Sequence, residues 1–112
     1  MKIGDIYLVE IPAIGGHEQA GLRPAIVTQT EKEGDKLPTI IIIPLTSKIK
    51  AATFPFTLSI EPDQSNNLLS VSIALIFQLR AIDKRRLKRK IGELKEETMI
   101  HIKQMLRKIM EL

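Results

Sequence analysis

The chain has 112 residues, 44% of them hydrophobic and none a cysteine, with a formal net charge of +4. That length fits one compact domain, residues 1–112, with enough apolar side chain for a core. The absence of cysteine excludes a disulfide framework, a thiol nucleophile and a cysteine-based metal site. The apolar run at residues 39–45 is far too short to cross a bilayer, and Asp5 interrupts the N-terminus before any signal-peptide core. No membrane contact is expected, and the chain reads as cytoplasmic. A sequence pI of about 9.5 suits a polyanionic partner, although a modest excess of lysine also serves solubility.

Taken in chain order, residues 5–11 (DIYLVEI) alternate and predict a first strand. Residues 12–22 read as a loop, with Pro12 as a breaker and Gly15, Gly16 and Gly21 free to adopt positive φ. Residues 24–29 read as a second strand and residues 30–37 as a charged turn around Gly34 and Asp35. Residues 39–43 are β-branched throughout, which predicts a strand buried on both faces. A loop over residues 44–50, a strand over 54–60 and a polar turn over 61–67 follow.

Residues 70–80 predict one long strand with Val71, Ile73, Leu75, Phe77 and Leu79 facing the core. Ser70, Ser72, Ala74, Ile76, Gln78 and Arg80 fall on its other face. A short strand over residues 87–91, closed by Gly92, comes last. Over residues 96–111 the period changes: Met99, Ile102, Met105, Leu106, Ile109 and Met110 form one helical stripe. Glu96 and Glu97 start that helix and Arg107 and Lys108 approach its end, as the helix dipole favours. His101 lies off the stripe and reads as a surface residue. Five or six close strands and one terminal helix predict a mainly β fold: a small, strongly bent sheet or barrel with the helix packed on it.

Three segments in register carry more. Residues 4–9 (GDIYLV) run into Gly16-His17-Glu18-Gln19-Ala20-Gly21 and Arg23-Pro24-Ala25; Pro44-Leu45-Thr46-Ser47-Lys48 follows an apolar strand; and Gln78-Leu79-Arg80-Ala81-Ile82-Asp83 precedes a basic stretch. In order and spacing, from nearly the first residue to the last, the chain resembles the MazF/PemK toxin family. The resemblance implies an SH3-like barrel of the CcdB/MazF type and a homodimer with single-stranded RNA in the groove between the copies. A cognate antitoxin protein would occupy that groove, and DNA would be met only through the antitoxin complex. The implied reaction is attack of a ribose 2′-OH on its own phosphodiester, leaving a 2′,3′-cyclic phosphate or 3′-phosphate and a 5′-OH. No metal or other cofactor is implied.

Such a reaction needs a base, a fixed cation for charge growing on the phosphate, and an acid for the leaving oxygen. Arg23 is the candidate cation, because a guanidinium stays charged and its planar fork fits phosphate oxygens. Thr46 is the second catalytic candidate, positioning the phosphate or the 2′-OH and relaying a proton. Without the resemblance, Thr46 and Ser47 read equally well as a turn closed by hydroxyl-to-backbone bonds. His17, whose type titrates near neutrality, and Glu18 are candidate proton carriers in the first loop. Gln19, Ser47, Lys48, Gln78 and Arg80 are candidate substrate contacts.

The sequence departs from the family at Phe77 and Leu75, where many members carry an Asp and some an Arg. That places the chemistry on Arg23, Thr46 and the first loop. It also keeps open a non-catalytic RNA binder of the same fold that has lost turnover. A gyrase-poisoning relative would carry a C-terminal Trp-Gly-Ile tail, whereas this chain ends Met110-Glu111-Leu112 and has no tryptophan. The basic run Lys84, Arg85, Arg86, Lys88, Arg89 and Lys90 reads two ways: a backbone track for RNA, or a charged strand blunting a sheet edge.

Overall fold

The computed structural model of the chain describes residues 1–12 and 20–112. Seven strands and one helix follow in the order β1 (Asp5–Ile11), β2 (Gly21–Val27), β3 (Thr39–Thr46), β4 (Thr57–Ile60), β5 (Ser72–Leu75), β6 (Arg80–Asp83), β7 (Leu87–Glu93) and α1 (Glu96–Met110). Short 3₁₀ turns at Glu33–Lys36, Ile49–Thr53, Ile76–Gln78 and Lys84–Arg86 punctuate them. All pairings are antiparallel, in the lateral order β4-β5-β3-β2-β1-β7, with β6 also paired to β3. This is the mainly β, bent-sheet architecture with a C-terminal helix that the strand pattern predicts.

β3 holds the fold together because it changes partners along its length. Residues 39–42 pair with β6 and residues 45–46 with β5, while the strand's other edge pairs β2 through Pro44, Ile43 and Ile42. Pro44 was expected to start a loop, since proline cannot donate to a strand ladder. It lies inside the strand because it falls at the switch, where neither β5 nor β6 stands opposite it. The strand therefore runs on to Thr46.

The strand alternation feeds two apolar clusters. Ile6, Ile26, Ile43, Leu45, Ile60, Ala74, Ile76 and, from α1, Met99 and Ile102 form one. Val9, Ile11, Ala25, Val27, Ile40, Ile42 and Ile82 form the other. Each wholly buried Ile or Val contributes roughly 1.5–3 kcal/mol of transfer free energy. Burial of β3 on both faces holds from Ile42 to Thr46, but Ile41 is partly exposed, so its first half alternates.

The long strand expected over residues 70–80 is instead two. β5 is buried at every residue, Ile76–Gln78 form a 3₁₀ turn, and β6 begins at Arg80. The break reverses the parity beyond Leu75, so Phe77 is 38% exposed rather than core-facing, and its ring lies 5.6 Å from that of Phe54. The strand expected from residue 54 likewise starts only at Thr57, after a 3₁₀ turn and Phe56 at φ 59°. β2 begins earlier than predicted, at Gly21, whose φ of 92° turns the chain into the strand. β7 runs past Gly92 to Glu93.

The helix matches its stripe at the front only. Met99 and Ile102 are buried, Met105 and Leu106 partly so, and Ile109 and Met110 are exposed. Its last turn closes on Glu111 in the left-handed region, with the Leu112 N–H donating to the Arg107 carbonyl at 2.9 Å. His101 is exposed, as its place off the stripe predicts. No helix among the described residues is long and apolar enough to cross a membrane.

Candidate functional site

A cleft of about 620 Å³ opens where the ends of β2, β3 and β7 meet the loop that precedes β5. Its floor comes from strand residues in register: Pro24 pairs with Leu8, and Leu8 pairs with Arg89 on the far side. Arg23, Thr46 and Ser47 line it, as do Ser70 and Ser72. The exposed side chains of Leu22 and Leu69 flank it.

Arg23 is held by its neighbours in sequence. Its Nε donates to the Ala20 carbonyl at 2.7 Å, and the guanidinium makes no ion pair with a described residue. Thr46 is only 2% exposed, yet its side chain borders the cleft. Its Oγ1 accepts the Lys48 backbone N–H at 3.2 Å, so the hydroxyl proton is directed elsewhere. The turn reading and the site reading of Thr46 therefore hold together: the same oxygen closes the turn after β3 and faces the cleft.

The opposite wall is built by a loop rich in Asp and Asn. Asp63 Oδ1 accepts the backbone N–H groups of Ser65 and Asn66 at 2.9 and 2.7 Å. The Asn66 bond above all holds the Asp63 carboxyl below its ordinary range, and Lys95 reinforces it. Buried Asn66 returns the bond through Oδ1 to the Asp63 N–H at 3.0 Å, binds the Leu68 N–H, and donates to the Glu61 carbonyl. Asn67, at φ 53°, ties the loop to β7 through the Ile91 carbonyl at 3.0 Å. These bonds fix the backbone that presents Asn67, Leu68, Leu69 and Ser70 to the cleft.

The structure thus gathers Arg23, Thr46 and Ser47 and leaves the other described candidates outside. Lys48 is exposed beyond the rim, its backbone rather than its amine tied to Thr46. Gln78 in its 3₁₀ turn and Arg80 on β6 are half-buried away from the cleft lining. His17, Glu18 and Gln19 lie outside the described residues. Ser70 and Ser72 are not site candidates in the sequence reading, and Arg89 enters it only within the basic run. The signal for Arg89 was the register of β7 against β1, which a run of six cations conceals.

That run resolves into different fates. Lys84 Nζ donates to the Gly34 carbonyl at 2.8 Å. Arg85 pairs with Asp83, whose carboxyl its guanidinium and backbone N–H pull down to about 2. Arg86 meets Glu10 at 3.1 Å, and Lys90 bridges buried Asp5 at 3.3 Å and Glu93 at 3.7 Å. No Asp or Glu is among the described residues that line the cleft, whereas two guanidiniums are. A cleft so equipped attracts negative charge.

Known proteins fit this geometry. The family described as PemK-like, MazF-like toxin of type II toxin-antitoxin system matches residues 2–110. An endoribonuclease MazF of Staphylococcus epidermidis is 35% identical over 102 residues, spanning 91% of this chain and 84% of the relative. The endoribonuclease MazF of Staphylococcus saprophyticus is 34% identical over 99 residues, 88% of this chain and 82% of its own. Among solved structures, MazF from Deinococcus radiodurans has a TM-score of 0.84 at 22% identity, covering 100% of this chain and 97% of that one. A mycobacterial endoribonuclease in complex with its cognate antitoxin has a TM-score of 0.77 at 19% identity, covering 100% and 96%.

Proposed function

The chain belongs to the PemK-like, MazF-like toxins of type II toxin–antitoxin systems, and from that premise we propose that this toxin endoribonuclease cuts single-stranded RNA at the Arg23–Thr46 cleft without a metal. The observation that carries the reading is the placing of a guanidinium and a buried hydroxyl on one cleft with no carboxylate in its described lining.

The ribose 2′-OH attacks the adjacent phosphorus, the 5′-oxygen departs, and the products are a 2′,3′-cyclic phosphate, or the 3′-phosphate it opens to, and a 5′-OH. Arg23 neutralises the charge that grows on the non-bridging oxygens; removing one such donor costs about 2.7–4 kcal/mol of barrier. Thr46 donates its hydroxyl proton toward the phosphate or the 2′-OH while its lone pair stays on the Lys48 N–H. His17 and Glu18 are the proposed proton carriers, and Gln19, Ser47, Lys48, Gln78 and Arg80 the proposed contacts to flanking RNA. Leu22 and Leu69 suit the apolar faces of unstacked bases, which is how single strands are read.

The working unit we propose is a cytoplasmic homodimer with a cognate antitoxin over the groove, DNA being met only through that complex. The large apolar side chains left at the surface, Phe54 at 57% and Phe77 at 38% exposed, support a second copy. Sedimentation should then give about twice 12.6 kDa.

The test is incubation of the purified protein with a long RNA, followed by mapping of the new 5′ ends. Expected are 5′-OH ends at a recurring sequence, unchanged in EDTA and lost in Arg23→Ala. Activity abolished by chelation and restored by a divalent cation would overturn the mechanism. Binding without product over long incubation would select the non-catalytic reading.

A further inference from the structure

We propose that Arg89 grips a second backbone phosphate of the RNA, on the nucleotide next to the scissile one, and so sets how tightly substrate is held. The inference rests on the RNA-cleaving reading of the cleft.

Three observations converge on it. Arg89 is exposed, lines the Arg23 cleft, and has no acidic partner among the described residues, whereas Arg85, Arg86 and Lys90 are committed to Asp83, Glu10 and Asp5. Its strand position is fixed: Leu8 on β1 stands between Pro24 and Arg89, so the roots of Arg23 and Arg89 flank β1. Two inter-strand spacings separate those backbones by roughly 10 Å, room for the two guanidiniums to hold neighbouring phosphates of one strand. Finally, no described carboxylate in the lining competes for it. A planar fork held that way binds phosphate oxygens in pairs.

The charge of Arg89 acts on ground state and transition state alike, so its removal raises KM and leaves kcat in place. In cleavage of the mapped RNA sequence, Arg89→Gln should raise KM on the order of tenfold, the effect of one lost charged hydrogen bond. Binding of the same oligonucleotide made uncleavable by 2′-O-methylation, followed against salt, should lose about 0.7 from its log–log slope, one phosphate contact on a single strand. Arg89→Lys should restore the slope and only part of the affinity. Arg85→Gln, whose charge is spent on Asp83, should leave both unchanged. A neutral methylphosphonate beside the scissile phosphate should weaken binding of the unaltered protein and leave Arg89→Gln unaffected.

Equal KM and equal slope in Arg89→Gln, with cleavage by the unaltered protein intact, would overturn this inference alone. So would an unchanged RNA slope combined with weaker capture of an acidic antitoxin peptide, since Arg89 would then serve the inhibitor. An unaltered protein that neither cleaves nor binds RNA would overturn the functional reading and Arg89's role with it.

Discussion

Gly92 of β7 passes so close beneath the Asn66 carbonyl that a Cβ at position 92 would sit 2.6 Å from that oxygen. The Ser65 carbonyl is nearer still, and it accepts the Glu93 N–H at 2.9 Å. Both obstacles are backbone, so nothing flexible can yield. Gly92→Ala should therefore lift the loop that carries Asn67 to Ser70 off β7, costing about 1–3 kcal/mol of stability. Because that loop is one wall of the cleft, KM for RNA should rise with it; denaturant melts and cleavage kinetics on one preparation check both.

Thr46 separates two roles of one hydroxyl. Thr46→Ser keeps the oxygen and should keep most activity. Thr46→Val leaves the Lys48 N–H without its acceptor and removes the proton donor from the cleft. We expect about 1–3 kcal/mol of lost stability and a tenfold to hundredfold lower kcat/KM, roughly the value of a hydrogen bond to a charged group. Activity in Thr46→Val equal to that of Thr46→Ser would assign Thr46 to the turn alone.

Asp83 gives a pH prediction with a definite sign. Its carboxyl lies lower in the fold, at about 2, than its ordinary 3.8, mainly because the Arg85 guanidinium and N–H bond the charged form. A lowered folded value contributes stability above about 3.8 that disappears as pH falls through about 2. Asp83→Asn should be less stable than the unaltered protein at neutral pH, the gap closing between those two values. The site is exposed, so the gap should be small and should shrink in salt. Urea midpoints across pH 2–7 measure it.

Ile102 is the fully buried contact of α1 with the sheet. Ile102→Ala should cost about 2–5 kcal/mol, as large-to-small core changes do. The loss should appear first as faster amide exchange in α1, because Met99 is the helix's other buried anchor.

Legibility in the sequence followed how local each cause was. β1 and the helix came through with their bounds nearly intact, since alternation at residues 5–11 and the stripe through Met99 and Ile102 each arise within one element. The break at Ile76–Gln78 did not, because apolar alternation from Val71 to Leu79 is as compatible with one strand as with two. What ends β5 is register against one edge of β3: six steps from Ala74 to Arg80 pass only three from Leu45 to Ile42, so the surplus leaves the ladder as a 3₁₀ turn, a tertiary demand. Pro44 misled for the same reason: its missing donor is harmless only at a partner switch the sequence does not display. In the cleft, Arg23, Thr46 and Ser47 were legible through their motifs, whereas Arg89, Asn67, Ser70 and Ser72 are brought in by register and loop folding.

The eight residues of β3 supply Ile40 and Ile42 to one apolar cluster and Ile43 and Leu45 to the other. Neither half of the molecule can melt while the other survives, for each would pull its own side of a common beam out of place. Thr46, the proposed catalytic threonine, stands at the end of that beam. Catalytic competence and global cooperativity should consequently vanish at the same denaturant concentration, with no inactive but folded species between them.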